Sequence, residues 1–472
     1  MAARVVRTGL LAVLLAAASA APAGAADRLC DPGLENCRTI LINLIRAEQV
    51  GIDVAFWFME DPRYTTELIS RWRAGVPVRV LVDQRARITT PLNDARLEEL
   101  RTAGIPMRDR TGTGILHWKM MLFTGQNTVE FSGANYSAEA WSRFSIEPLV
   151  DYVDEAILFT DDGAIVNSFR TKFDDLWTNT TVFRNYANIV TPARRYPIFP
   201  IDPRMTFGGG AFAARSTATY AGETQGIDAV MYRITDVRHV VTIIQARLRG
   251  VAVRLISEPD SYRPSPTMAD RDWYMWHAPM IDLMHRYGVQ IRHRAHAGVT
   301  HQKSAVLRGL GMTIFGSSNW DHQDIDAHEQ HNMFTTDPVI FGWFDRQFDR
   351  KWNNTGGAVE TVAFTPAPPD KPHNPAPANL ATGVSRAPGL TLKWSGGPWA
   401  HLYDLYMGLS PTQLTRVGTD LALGPALPNV QQQQVRLSAA LPAGTVIYWQ
   451  VVSKTYADIQ RTSNLWSFTT AP

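Results

Sequence analysis

The chain has 472 residues, of which 45% are hydrophobic and 19% are charged. This composition predicts folded domains with apolar cores and excludes a long disordered chain. The formal net charge is +2 at pH 7, so bulk charge gives no support for nonspecific binding to nucleic acid. The length is sufficient for two or three domains.

Residues 1–26 predict a cleaved secretory signal. Arg4 and Arg7 precede an apolar run at 10–15, and small residues follow up to Ala25. The apolar run is shorter than the roughly 20 residues that a membrane span needs. No later stretch is apolar enough to span a bilayer. We therefore expect a secreted or periplasmic protein without a transmembrane segment after signal removal.

The two cysteines of the chain, Cys30 and Cys37, follow the predicted cleavage point. In an exported protein they predict one local disulfide. A loop this short contributes about 2–3 kcal/mol on the chain-entropy argument. Neither Cys-x-x-Cys spacing nor a neighbouring His indicates a redox or metal role.

Two long parts of the chain repeat each other. The stretch 51–58 resembles 226–233, and 75–82 resembles 250–256, both at an offset of 175 residues. The offset widens to 184 further on and returns to 175 at Phe159 and Phe334. This pattern indicates an internal duplication with a nine-residue insertion in the second copy.

Each copy predicts the order strand, helix, strand, helix, strand. The runs that begin at Ile52 and Val78 are short, apolar and rich in β-branched residues, as buried strands of a sheet covered on both faces are. Between them, 64–73 has apolar residues at helical spacing and stops before Gly75. We predict an α/β fold with two duplicated halves, residues 27–200 and 201–358, which pair across a pseudo-two-fold interface.

The insertion lies within about residues 258–278, after a predicted strand of the second half. It is rich in large side chains, namely Tyr262, Trp273, Tyr274, Met275 and Trp276. Two interpretations stay open: a loop that folds on its own aromatic residues, and a lip that gates substrate access.

The C-terminal part of the chain has a different composition. Residues 359–377 predict a proline-rich linker. From 378 to 472, short runs of alternating apolar and polar residues predict a β-sandwich. The positions of Trp394, Trp449 and Trp466 make this part resemble a fibronectin type III domain. It shows no catalytic cluster, and a spacer or adhesive role fits it.

A polar trio occurs once in each half. Its members are His117, Lys119 and Asn135 in the first half, and His301, Lys303 and Asn319 in the second. In both halves the Lys lies two residues after the His, and the Asn follows the His by 18. On a strand, His and Lys at this spacing point to the same face. An imidazole, an ammonium and an amide together suit the binding and attack of a phosphate.

These trios resemble the phospholipase D superfamily, whose mark is a duplicated H-x-K-x4-D followed by a glycine-serine-rich turn and Asn. The resemblance covers roughly residues 38–356. The chain departs from the motif at the Asp, because Thr124 and Arg308 stand there. In the family that Asp has mainly a structural role. The first turn, 132–135, also departs from the family's pattern, whereas 316–319 conforms.

The resemblance implies hydrolysis of a phosphodiester through a phosphohistidine, without a metal or other cofactor, by a protein we expect to be a monomer. The two Lys supply charge-assisted hydrogen bonds to the anion, and the two Asn donate amide hydrogens. Two imidazoles with an ordinary pKa of about 6.5 can act as nucleophile and acid near neutrality. We expect His117 to be the nucleophile, since the first HxK often has this role in the family.

Each imidazole needs a partner that fixes its tautomer. Glu329 follows Asn319 by ten residues, where the family often has an acid, and Glu155 or Asp154 is its counterpart in the first half. We predict Glu155 and Glu329 as these supporting carboxylates. The alternative is that both are ordinary surface carboxylates.

Two further interpretations compete with this enzyme. A cluster of potential metal ligands comprises His322, Asp324, Asp326, His328 and His331, but its spacing matches no known zinc arrangement. A non-catalytic protein that binds phosphate is favoured somewhat by the missing Asp residues. Near-neutral charge, export and the aromatic insertion favour phospholipid at a membrane surface as substrate. A metal-independent endonuclease that cuts DNA or RNA is the alternative.

Overall fold

The computed structural model describes residues 27–190, 194–263, 274–321 and 325–472. The predicted signal at 1–26 and most of the predicted insertion lie outside these residues. None of the helices within the described ranges has the length and apolar character needed to cross a bilayer.

The first half forms one eight-stranded sheet with helices on its faces. Its strands are β1 (Arg28–Cys30), β2 (Ile52–Phe56), β3 (Val78–Asp83), β4 (Met107–Arg110), β5 (Lys119–Phe123), β6 (Thr128–Ser132), β7 (Asp151–Asp154), β8 (Ile157–Thr160) and β9 (Phe183–Ala187). Its helices are α1 (Cys37–Ala47), α2 (Pro62–Arg73), α3 (Gln84–Thr89), α4 (Pro91–Thr102) and α5 (Gly163–Thr178). The strand order in the sheet is β1-β8-β6-β5-β2-β3-β4-β9.

The second half repeats this arrangement. Its strands are β10 (Met205–Phe207), β11 (Gly226–Met231), β12 (Ala252–Ser257), β13 (Gln290–Arg294), β14 (Ala297–Thr300), β15 (Lys303–Leu307), β16 (Met312–Gly316), β17 (His331–Thr335) and β18 (Thr361–Ala363). Its helices are α6 (Gly209–Gly222), α7 (Val237–Leu248), α8 (Pro259–Tyr262), α9 (His277–Arg286) and α10 (Pro338–Asn353), with short 3₁₀ turns at Tyr274–Trp276 and Ile325–Ala327. The sheet order is β10-β17-β16-β15-β11-β12-β13-β18.

The two sheets therefore have the same order, and the predicted α/β fold with duplicated halves is confirmed. The predicted strands at Ile52 and Val78 are β2 and β3, which pair in parallel and are fully buried. The helix predicted between them is α2, which Asp61 caps by accepting a hydrogen bond from the backbone N–H of Arg63. Parallel strands joined by helices place their apolar residues on both faces of the sheet, which explains the continuous apolar runs.

The halves meet through strands and aromatic rings. β7 of the first half pairs in parallel with β14 of the second half. Phe131 stacks on Phe315 with ring centroids 5.8 Å apart and planes within 8°. These phenylalanines are 184 residues apart, so they are equivalent positions of the duplication. Equivalent residues that face each other are expected at an interface with pseudo-two-fold symmetry.

The start of the first half is fixed by a disulfide. Cys30 at the end of β1 and Cys37 at the start of α1 are bonded, and both are fully buried. β1 is the edge strand next to β8. The disulfide therefore joins an edge strand to the helix that covers the sheet.

The C-terminal part is made of strands throughout. They are β19 (His373–Ala376), β20 (Ala381–Val384), β21 (Thr391–Ser395), β22 (Leu402–Ser410), β23 (Gln413–Leu421), β24 (Gln433–Arg436), β25 (Val446–Lys454), β26 (Gln460–Thr462) and β27 (Trp466–Thr470). They form a three-stranded and a six-stranded sheet around a core that contains Trp394, Trp449 and Trp466. The segment predicted as a linker contributes β18 to the second half and β19 to this part.

The described residues of the predicted insertion do not form a single aromatic loop. Tyr262 is buried, donates a hydrogen bond to Asp282 at 2.8 Å and packs edge-on against Phe364. Met275 is also buried, whereas Trp276 is 40% exposed. Tyr262 is therefore part of the core of the second half.

Candidate active site

The candidate active site lies at one edge of the two sheets, where they face each other. β5 and β15 run antiparallel to β2 and β11. Their first residues, Lys119 and Lys303, therefore lie at the carboxyl ends of β2 and β11. Open α/β sheets place their ligands at this edge.

The two predicted histidines precede their strands by two residues instead of lying on them. The backbone N–H of His117 donates to the carbonyl of Glu329 at 2.9 Å, and that of His301 donates to the carbonyl of Asp154 at 3.1 Å. Each of these hydrogen bonds crosses to the opposite half, so the chain leaves its own sheet at this point. The strand prediction for the histidines is corrected by this geometry.

The structure brings the predicted trios together in one cavity of about 460 Å³. His117, Asn135, His301 and Asn319 all line it. The Oδ1 atoms of Asn135 and Asn319 are buried and have no partner among the described residues. The cavity therefore contains two imidazoles and two amides with free capacity to bind a ligand.

The two predicted lysines are buried behind the histidines. The Lys119 ammonium donates to the backbone carbonyl of His117 at 2.9 Å. The Lys303 ammonium contacts Nδ1 of His301 at 2.9 Å and also donates to the carbonyl of that residue. Both side chains are almost fully buried. Each lysine is thus held next to the histidine of its own half.

His301 is supported by a carboxylate from the first half. Its Nδ1 lies 2.5 Å from Oε1 of Glu155, which is buried. Burial raises the pKa of Glu155, but Lys303 and His301 outweigh burial and hold this pKa below its usual value. Glu155 is therefore an anion that directs the Nε2 atom of His301 away from itself.

His117 is supported by an amide, which the sequence analysis did not identify. Its Nδ1 lies 3.0 Å from Oε1 of Gln330. The predicted partner, Glu329, contributes only its backbone carbonyl, and its carboxyl interacts with Arg110. Successive residues of an extended segment point to opposite sides, so Glu329 and Gln330 cannot both face the histidine. The offset of 175 residues pairs Glu155 with Gln330, and this signal could have found it.

The turns beneath these partners differ in the same sense. Gly133 lies beside Glu155, and a Cβ atom there would be 2.8 Å from Oε2 of Glu155 and 3.2 Å from Cδ of Lys303. The equivalent residue in the second half is Ser317, whose hydroxyl donates to Oε1 of Gln330 at 2.7 Å. A glycine thus leaves space for the carboxylate, and a serine binds the amide.

Burial and mutual repulsion hold the pKa values of the basic groups below their usual values. The pKa of His117 is lowered strongly by burial, then by Lys119 and Lys303. Burial and Lys303 lower the pKa of His301 to about 4 against the opposing effect of Glu155. Burial also lowers the pKa of Lys303 to about 7, and burial with Lys303 lowers that of Lys119. A bound anion would raise all four pKa values.

The positions that lack the family's Asp are far from the cavity. Arg308 pairs with Asp228 of β11 at 2.6 Å. The Thr124 hydroxyl contacts Arg194 at 2.8 Å, and Arg194 in turn pairs with Asp53 of β2. In both halves an acid on the neighbouring strand supplies the carboxylate, so these positions have a structural role.

The potential metal ligands considered above do not converge within the described residues, where no group of three or more such side chains could hold a metal ion. Nε2 of His331 accepts a hydrogen bond from the backbone N–H of Lys119, and Asp326 pairs with Arg238. His328 lines the cavity. His322 and Asp324 lie outside the described residues.

This geometry defines a phospholipase D-like fold, and comparison with known proteins agrees with it. A family model described as "Cardiolipin synthase, PLD-like domain" matches residues 41–177 and 221–352, more than half of the chain. The protein therefore belongs to this family, and its enzymes support a phosphodiesterase-type activity at the level of the family.

Individual relatives cover the chain only in part. Human mitochondrial cardiolipin hydrolase is 30% identical over 146 residues, which are 31% of this chain and 50% of that protein. The enzyme of Chlamydomonas reinhardtii with the same name is 26% identical over 28% of this chain and 52% of its own length. The chain thus spans about half the length of the curated relatives it matches.

A solved structure shows the same fold over a longer part of the chain. Phosphatidylserine synthase of Haemophilus influenzae superposes with a TM-score of 0.54 at 13% identity, over 72% of this chain and 87% of that structure. At this identity the similarity concerns the fold alone.

Proposed function

We propose that this protein is an exported, metal-independent phosphodiesterase that hydrolyses phospholipids by the phospholipase D reaction. One observation carries the proposal: His117 and His301 line the same cavity, and the Nδ1 atom of each is held by a side chain from the opposite half. This leaves two Nε2 atoms free for a substrate. One can attack phosphorus while the other handles the proton of the leaving group.

The two partners suggest a division of roles. Gln330 holds His117 in the neutral form with a proton on Nδ1, which leaves a lone pair on Nε2 for attack. Glu155 favours a protonated His301, which suits an acid. In the first step, Nε2 of His117 bonds to phosphorus, the bond from phosphorus to the leaving alcohol breaks, and His301 gives its proton to that alcohol.

The second step reverses the proton transfer. His301, now neutral, takes a proton from water, the resulting oxygen bonds to phosphorus, and the phosphorus–nitrogen bond to His117 breaks. Phosphatidate leaves and the free enzyme is restored. Throughout both steps Lys119, Lys303 and the two asparagine amides face the charge that develops on the non-bridging oxygens. The phosphate raises the low pKa values of the basic groups when it binds.

The remaining features of the protein fit this proposal. The Cys30–Cys37 disulfide suits an oxidising compartment, in agreement with the signal predicted at 1–26. The relatives named above act on cardiolipin, which is a phospholipid, by their names. We propose that the C-terminal strands form a fibronectin type III-like domain that acts as a spacer or adhesive module, and that the protein is a monomer.

The test is a panel of three substrates with EDTA present: phosphatidylcholine vesicles, bis(p-nitrophenyl) phosphate and plasmid DNA. We expect release of choline and nitrophenol, and loss of both by about 10³-fold or more in His117→Ala and His301→Ala. A His373→Ala variant, which changes a histidine of the C-terminal part, is the matched control and should retain full turnover.

Other outcomes separate the competing functions. Nicking of plasmid without choline release would replace the lipase with an endonuclease. Inactivity on all three substrates would favour a phosphate-binding protein. Full turnover in either alanine variant would contradict the proposed site. To assign the nucleophile, the two variants are quenched in acid-stable conditions with labelled substrate, and only His301→Ala should accumulate a phosphohistidine.

A further inference from the structure

The wall of the cavity beside His117 contains aromatic side chains. Trp57 and Phe58 line the cavity, and the Trp57 ring centroid is 6.2 Å from that of His117. Both side chains are half-buried. Among the described residues, no cationic side chain lies over the Trp57 ring, whereas the Tyr232 ring across the cavity has the Lys303 ammonium 5.3 Å from its centroid. An open indole face is a favourable site for a cation.

Two carboxylates lie in the same wall. Glu60 and Glu139 both line the cavity. Burial raises the pKa of Glu60, and the neighbouring Glu139 raises it further, with no cation in opposition. Two like charges at a half-buried position repel each other, and a positive group between them would remove that repulsion.

An uncharged acceptor adds to this negative wall. Oδ1 of Asn135 is buried, lines the cavity and has no partner within the described ranges. Buried acceptors are normally hydrogen-bonded. This atom therefore indicates a ligand that brings a positive charge or a donor to the side of the cavity where Glu60 and Glu139 lie.

The same wall opposes a polyanionic substrate. Arg233 is the only Lys or Arg side chain among the described residues that line the cavity, and it pairs with Asp321 at 3.5 Å. Grooves that bind single-stranded nucleic acid follow the backbone with cations. A second phosphate, in nucleic acid or in a lipid with an anionic head group, would meet Glu60 and Glu139 instead.

We infer that Glu60, Glu139 and the ring of Trp57 form a subsite for an alkylammonium group beside the phosphate position. The subsite rests on the proposed phospholipase function and names its substrate class: phosphodiesters whose leaving alcohol carries a choline or ethanolamine group. The carboxylates attract the ammonium, the indole face contacts its alkyl substituents, and the phosphate stays between the two histidines.

The experiment compares soluble short-chain phosphatidylcholine, phosphatidylethanolamine and phosphatidylglycerol, with phosphatidate release as readout. For the native protein, kcat/KM should favour the two ammonium lipids over the glycerol lipid by about tenfold, the size of a cation–aromatic contact together with a screened ion pair. In a Glu60→Gln/Glu139→Gln variant this ratio should fall towards one through a higher KM for the ammonium lipids. Glu147→Gln, an exposed carboxylate outside the cavity, is the matched control.

Inhibition provides a second readout that does not need lipid hydrolysis. Phosphocholine should inhibit turnover of bis(p-nitrophenyl) phosphate more strongly than glycerol phosphate, and the double variant should lose this difference. Equal turnover of all three lipids, or an unchanged preference in a double variant with native melting behaviour, would overturn the subsite and leave the phospholipase intact. Turnover of none of the lipids would reject the proposed function, and the inhibition ratio would then decide on the subsite alone.

Discussion

In the second half of the catalytic unit, Nδ1 of His301 faces a carboxylate, whereas in the first half Nδ1 of His117 faces an amide. The strand order is the same in both halves, and the backbone hydrogen bonds that hold the histidines are equivalent. The difference is confined to the partner and to the residue beneath it: Glu155 with Gly133, and Gln330 with Ser317. Duplication thus supplied two similar supports, and a few side chains made their charges different.

This difference has a chemical meaning. A carboxylate stabilises an imidazolium, whereas an amide fixes the tautomer without adding charge. At any stage of the proposed reaction only one of the two histidines carries a positive charge. Unequal partners decide where that charge lies in the free enzyme, and each of the following substitutions changes this decision.

The largest effect is expected for Glu155→Gln, which gives both histidines an amide partner. The change removes the only carboxylate that contacts His301, so protonation of the leaving group becomes unfavourable. We expect kcat/KM for bis(p-nitrophenyl) phosphate to fall by about 100-fold or more. Because the amide keeps the shape of the side chain, the melting temperature should change little. Activity within threefold of the native value would show that the carboxylate is not needed.

An intermediate effect is expected for Gln330→Glu, which gives both histidines a carboxylate partner. The new charge raises the pKa of His117, so a larger fraction of this nucleophile is protonated at a given pH. The acid limb of the kcat/KM profile should therefore move to higher pH, with a loss of about tenfold near pH 5 that is recovered above neutrality. Gln302→Glu is unsuitable as a control because Gln302 contacts buried Lys351. The exposed Gln413→Glu in β23 serves instead, and an unmoved acid limb in Gln330→Glu would contradict the proposed neutral nucleophile.

The smallest effect is expected for Ser317→Gly, which gives the second half the glycine of the first. It removes the hydroxyl that donates to Gln330, and that also accepts from the backbone N–H of His331 at 3.0 Å. Loss of such bonds costs about 0.5–1.5 kcal/mol each in unfolding free energy, and kcat should fall several-fold as Gln330 gains freedom. Chemical denaturation and steady-state kinetics measure the two quantities. Ser410→Gly in the β22–β23 hairpin is the control, and native kinetics in Ser317→Gly would show that Gln330 is fixed by other contacts.

The sequence predicted the architecture well because the duplication is visible in the residues themselves. Repeated glycines and apolar runs indicated β2, β3 and their equivalents, and the spacing of His, Lys and Asn indicated which side chains share a cavity. These features are local, and local patterns determine strands and helices directly.

The contacts between halves were harder to predict. Glu329 was expected beside His117 because a carboxylate was sought, whereas the side chain that faces His117 is that of the next residue, Gln330. Which of two neighbouring side chains points across an interface depends on how the halves dock, and no local pattern records it. The acidic wall at Glu60 and Glu139 was missed for the same reason, since these residues are distant in sequence and meet only in the folded chain.

The backbone hydrogen bonds from His117 to Glu329 and from His301 to Asp154 cross between the halves. Turnover therefore requires docking as well as folding of each half. A lesion anywhere along that seam would silence the enzyme while circular dichroism still reported intact helices and strands, so reaction rate is a more sensitive gauge of correct assembly than any spectrum. The two halves, once presumably free to diverge after duplication, are bound to one another by the very atoms that place their histidines.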